Sequence, residues 1–152
     1  MFPSEPSQTG VVIVDHGSRK KESNRRLEQF VELFRSRTDY RVVEPAHMEL
    51  ASPSIEEAFG SCVRTGVSSI LLVPFFLLPG RHWQEDLPRL ARLASETHGS
   101  VPYMLSAPIG VHEGLVDILR ERMETCLQQE AGEYCDLCNE SANCRVGSSL
   151  QN

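Results

Sequence analysis

No stretch of this chain approaches the ~18 consecutive apolar residues that a membrane-spanning helix requires. The longest apolar run, Ile70 to Leu78, is interrupted by Pro74 and suits a buried strand. Basic residues are the minority, fifteen against twenty-one acids for a net charge of −6 at pH 7, which argues against nucleic acid or an anionic membrane as the main partner. There is no G-x-G-x-x-G turn and no G-x-x-x-x-G-K-[ST] loop, so a nucleotide-binding reading has no motif behind it. Ser18 lacks the G-x-S-x-G elbow, so a serine hydrolase is unsupported as well. Met1 to Gly10, rich in Ser and Pro, shows neither a signal peptide nor the Arg-rich pattern of a transit peptide and reads as a flexible lead-in, residues 1–10. Cysteine is too few and too uneven for a disulfide framework: of five, Cys62 stands apart while Cys126, Cys135, Cys138 and Cys144 crowd the last quarter. That odd count with one C-x2-C pair points to a reduced compartment and metal chemistry.

At 152 residues the chain is one domain with room for a real core. Val11 to Val14 form a buried strand that stops at Asp15-His16-Gly17-Ser18, placing an imidazole at the strand's carboxyl end before a glycine turn and a serine able to cap a helix. Leu27, Phe30, Val31 and Phe34 fall at i, i+3, i+4 and i+7, one face of the helix that follows. Tyr40 to Leu50 reads as a second strand bent or ended by Pro45, delivering Glu49 near its end. Ser52-Pro53-Ser54 with Glu56 and Glu57 opens a second helix, with a serine cap and a first-turn proline, that buries Ile55, Phe59, Cys62 and Val63. Ile70 to Phe76, apolar throughout, is a central strand covered on both faces. A glycine loop bearing His82 leads to a third helix. Val101 to Ala107 makes a fourth strand, and Leu115, Val116, Leu119 and Met123 line the inner face of a fourth helix. Four β-α repeats predict an α/β fold with a four-stranded parallel sheet flanked by helices, over residues 11–129. From about Glu130 the periodicity disappears, leaving residues 130–152 as a cysteine-containing tail.

His16 and His82 follow the first and third strands, and parallel strand ends open on one edge of a sheet, so both imidazoles are expected at one cavity. With Glu49 after the second strand they make two His and one carboxylate, a set suited to a first-row divalent metal with open positions. An imidazole can also take up protons near neutral pH. Arg19, Lys20, Lys21, Arg25 and Arg26 follow the His16 turn and either draw an anionic ligand to the cavity or simply solvate the first helical turns. The remaining candidates read as structural: His47 as a strand residue, His98 and His112 as caps or surface, Glu85 and Asp86 as suited to a helix start.

The stretches Val11-Val12-Ile13-Val14-Asp15-His16-Gly17-Ser18, Met48-Glu49-Leu50-Ala51-Ser52-Pro53-Ser54 and Val73 to His82 with Asp86 together resemble the small class II chelatases, the family of sirohydrochlorin ferrochelatases and the related cobaltochelatases. The resemblance spans residues 11 to about 125. It implies insertion of a divalent metal, Fe2+ or Co2+, into sirohydrochlorin with loss of two pyrrole protons, giving siroheme for iron. It carries His16, Glu49 and His82 over as catalytic and metal-handling residues. Peripheral carboxylates of such a substrate would meet Ser18, Arg19, Lys20 and Arg81. The resemblance also implies one half of the bilobed fold of longer relatives, completed by homodimerisation. Cys126-x8-Cys135-x2-Cys138-x5-Cys144 supplies four thiolates, enough for a [2Fe-2S] cluster or for Zn2+. A tail of this kind resembles that of plant members, which implies the plastid stroma; a cytoplasmic location is the alternative. Rival readings are a non-catalytic metal or tetrapyrrole carrier using the same cleft, and an iron-sulfur sensor acting through the tail.

Overall fold

Strand β1 (Thr9–Asp15) is paired on both sides and covered by helices on both faces, so its Val11 to Val14 core is at most 1% exposed. It runs parallel to β2 (Val42–His47) from Gly10 opposite Val42 to Asp15 opposite His47, and parallel to β3 (Ser69–Pro74) from Thr9 opposite Ser69 to Val14 opposite Pro74. β4 (Tyr103–Leu105) pairs outside β3, so the all-parallel sheet has the order β2-β1-β3-β4. The computed structural model describes residues 5–128. The α/β architecture is the one predicted from the four repeats. Pro45 does not end β2, because β2 is an edge strand and has neighbours on one side only, which is where a residue lacking an N–H is tolerated.

The sheet has a helix layer on each face. Alternate residues of β1 serve the two faces: Val11 and Ile13 meet Leu27 and Val31 of α1 (Lys21–Arg37), while Val12 and Val14 join Phe59 of α2 (Ile55–Arg64) and Leu87 and Ala91 of α3 (Leu87–Thr97). Helix α2 packs so closely on β1 that a Cβ at Gly10 would lie 2.9 Å from Cys62. Cys62 is fully buried there; burial first, and the Glu44 charge second, push its thiol up to about 12, so it is an inert core residue. Helix α2 begins at Ser54, not Ser52: Ser54 and Glu57 form a reciprocal capping box, and Pro53 stays outside the helix, where its carbonyl accepts the His47 N–H at 2.8 Å.

By contact the chain divides into two compact units, residues 1–110 and 111–152. The described part of the second, residues 111–128, is nearly all α4 (Glu113–Gln128), which buries none of its side chains. Val116, Leu119 and Met123, expected as an inner face, are 64%, 63% and 64% exposed. Periodicity specifies an apolar side of a helix; it does not specify what covers it. Cys126 is exposed on α4, while Cys135, Cys138 and Cys144 lie outside the described residues. Among the described residues no helix is long and apolar enough to cross a membrane.

Candidate active site

The strand order reverses between β1 and β3: the chain leaves β1 for β2 on one side, then crosses back to β3 on the other. A crevice forms beyond the carboxyl ends of the two strands at such a point, and both histidine loops begin there.

The first loop turns on Gly17, whose φ of +82° favours glycine. A Cβ there would also stand 1.9 Å from the Glu49 carbonyl oxygen. Asp15 accepts the Gly17 N–H at 2.9 Å. Ser18 does not cap α1, which starts after Lys20 without a side-chain cap. Asn24, inside α1, instead grips Ser18 from both sides, accepting its N–H at 2.9 Å and donating to its carbonyl at 2.8 Å. Sequence reading overlooked Asn24, whose role depends on a helix turning it back six residues.

The second loop is held by backbone bonds from Ile109 to Phe76 (2.9 Å) and Gly110 to Leu77 (2.7 Å). Rather than lying on an open loop, His82 opens a π-helical turn, His82–Asp86, that runs into α3. Asp86, four residues on, lies beside the ring: its Oδ2 accepts from His82 Nδ1 at 2.8 Å, leaving Nε2 as the outward nitrogen. The hydrogen bond from His82, and secondarily the charges of His82, Arg81 and Arg89, hold the Asp86 carboxyl below its ordinary range. Asp86 is therefore the orienting partner of His82 as well as a residue at a helix start.

The two imidazoles meet. His16 stacks on Phe76 with centroids 4.2 Å apart and planes at 12°, and His82 stands edge-on to His16 at 4.9 Å and 73°. They border a cavity of about 470 Å³ whose other walls are Phe75, Phe76, Leu77, Leu78, Gly80 and Trp83. Leu77 and Leu78 are 62% and 63% exposed at its lip, and the Trp83 indole is fixed by donating to the Ser106 carbonyl at 3.0 Å. Such a cavity offers a flat apolar ligand a floor and two nitrogen bases.

Glu49 is exposed, and its backbone N–H donates to the His16 carbonyl at 3.2 Å. Among the described residues no group of three or more His, Cys, Asp or Glu side chains is gathered to hold a metal, so the structure joins His16 and His82 but does not bring the Glu49 carboxylate into a ligand set with them. Arg19 and Lys20 are exposed just beyond the His16 turn. Arg81, also exposed, reaches Glu85 at 3.3 Å. His47 is buried against Asp15, His98 Nε2 lies 3.0 Å from the Glu56 carbonyl, and His112 Nδ1 accepts the Gly114 N–H at 3.0 Å.

The CbiX family matches residues 10–126. The chloroplastic sirohydrochlorin ferrochelatase of Arabidopsis thaliana is 44% identical over 92% of this chain and 63% of its own length. A sirohydrochlorin cobaltochelatase of Sulfurisphaera tokodaii is 36% identical over 78% of this chain and 94% of its own. Among solved structures, SirB from Bacillus subtilis with Fe3+ superposes with a TM-score of 0.73 at 29% identity, over 81% of this chain and 48% of that one. The chain thus spans under two thirds of the Arabidopsis relative and about half of SirB.

Proposed function

The chain belongs to the CbiX family, and from that premise we propose that it is a sirohydrochlorin ferrochelatase, inserting Fe2+ into sirohydrochlorin to give siroheme and two protons. The observation that carries this is the pair of imidazoles 4.9 Å apart on the wall of an apolar cavity. The macrocycle lies against Phe75, Leu77 and Leu78 with its pyrrole nitrogens towards the histidines. His16 receives the metal and His82, oriented by Asp86, accepts a pyrrole proton; Glu49, whose backbone N–H meets the His16 carbonyl, serves as a further ligand or passes protons to water. Arg19, Lys20, Arg81 and Ser18 meet the peripheral carboxylates and set orientation.

Iron leads because a 44%-identical relative is a ferrochelatase; cobalt is the second reading, favoured by the cobaltochelatase match over 94% of a chain of comparable extent. Anaerobic mixing with sirohydrochlorin and either Fe2+ or Co2+, followed by absorption, decides between them. His16→Ala is expected to lower the catalysed rate by about a hundredfold or more. Binding of both substrates without acceleration over the uncatalysed reaction would instead make the protein a carrier.

Plastid residence is proposed from the chloroplastic relative. A homodimer is proposed because the chain matches about half of SirB and exposes the apolar side of α4. The four thiolates of Cys126, Cys135, Cys138 and Cys144 suit a [2Fe-2S] cluster, which would add a one-electron centre, or Zn2+; the exposure of Cys126 on α4 fits such a role.

A further inference from the structure

We infer that Asp15 and His47 form a positioning pair that aims His16 into the cavity. This rests on the metal-insertion reading above. His47 is 1% exposed, and its Nδ1 lies 2.6 Å from Asp15 Oδ1, so a buried N–H donates to a carboxylate. The same oxygen accepts the Gly17 N–H at 2.9 Å. One acceptor thus joins the end of β2 to both flanks of His16. The backbone repeats the tie: Met48 N–H donates to the Asp15 carbonyl at 2.9 Å and Glu49 N–H to the His16 carbonyl at 3.2 Å. His16 is itself exposed, and its ring is held by stacking on Phe76, so its direction depends on how firmly residues 15–17 are set.

The other nitrogen of His47, Nε2, is buried with no hydrogen-bond partner among the described residues. A histidine kept for stability alone would be expected to satisfy both nitrogens or to be an apolar ring, since an unmet buried polar atom is destabilising. The pair has the form of an orienting shell, in which a residue that touches no substrate fixes one that does.

The test compares wild type, His47→Phe, Asp15→Ala and Asp15→Asn. Phenylalanine keeps a planar ring at position 47, somewhat larger than the imidazole, and removes both nitrogens. The amide introduced by Asp15→Asn keeps an oxygen that can accept from Gly17 and His47. Two readouts are taken: NMR of the His16 ring in the protein without substrates, where stacking on Phe76 shifts its protons upfield, and anaerobic Fe2+ insertion. The expected result is that His47→Phe stays folded at the assay temperature yet loses the upfield shift and about ten- to a hundredfold in kcat. KM for sirohydrochlorin changes little, Asp15→Ala behaves alike, and Asp15→Asn recovers most of what Asp15→Ala loses. An unchanged His16 shift in His47→Phe overturns the inference, as does a kcat that falls only in step with the folded fraction. Failure of the chelatase reading is seen separately, as a wild type that does not accelerate insertion while the His16 spectra still report its orientation.

Discussion

Gly17 is the residue at which the site is least tolerant of change. Its positive φ already disfavours a side chain, and a methyl group would overlap the Glu49 carbonyl while crowding the His47 Cβ at 3.1 Å. Gly17→Ala should therefore destabilise the protein by about 2 kcal/mol or more, the sum of backbone strain and a displaced carbonyl. It should also abolish insertion at temperatures where the variant remains folded, because the displaced segment carries His16. Thermal melting with an activity assay below the midpoint checks both parts; a folded, fully active Gly17→Ala would show that the loop has room to yield. At this scale Asp86 contributes differently. It is not itself a wall of the cavity, and its effect is to settle which nitrogen of the His82 ring points outward.

Among the elements, α2 has the most explicit start, and its capping box is sensitive to pH. The Ser54 backbone N–H, followed by the Ser54 hydroxyl, holds the Glu57 carboxyl below its ordinary value of 4.5. A carboxylate lowered in this way stabilises the folded state in full above that ordinary value and ceases to do so as pH falls through the lowered one. The melting difference between wild type and Glu57→Gln should accordingly be widest near neutrality and close under acid; a difference independent of pH would mean that the hydrogen bond from the Ser54 backbone N–H, and not the charge it meets, is what matters. Elements marked by local composition were legible in the sequence: β1 and β3 as apolar runs, α1 from the spacing of Leu27 and Val31, α2 from its serines and acids. What was not legible depends on partners far along the chain. Pro45 is acceptable only because β2 is an edge strand, which no local pattern states. The π-helical turn uses residues that would also suit an ordinary helical turn, and the Asp15 to His47 bond joins positions 32 apart. His16 and His82 were placed together from topology alone; Glu49 was placed with them on the same ground, and its side chain is exposed, with no ligand group of three gathered among the described residues.

For the whole chain, the residues proposed for insertion and the four clustered cysteines fall in different stretches of the sequence. Every described wall of the cavity lies between His16 and Trp83, within residues 1–110. Where the four thiolates hold the proposed [2Fe-2S] cluster, replacing Cys135 and Cys138 by Ser should remove visible charge-transfer absorption and acid-labile sulfide from anaerobically prepared protein while His16-dependent insertion of added Fe2+ persists. Loss of insertion together with the sulfide would instead place the tail in the reaction. The chain has one tryptophan, and it is Trp83, pinned in the cavity wall through its bond to Ser106. Its emission is therefore a native fluorophore confined to the site. A conjugated macrocycle seated beside it would quench that emission by energy transfer, so a simple titration in the fluorimeter can count occupied sites and time ligand arrival before any metal is supplied.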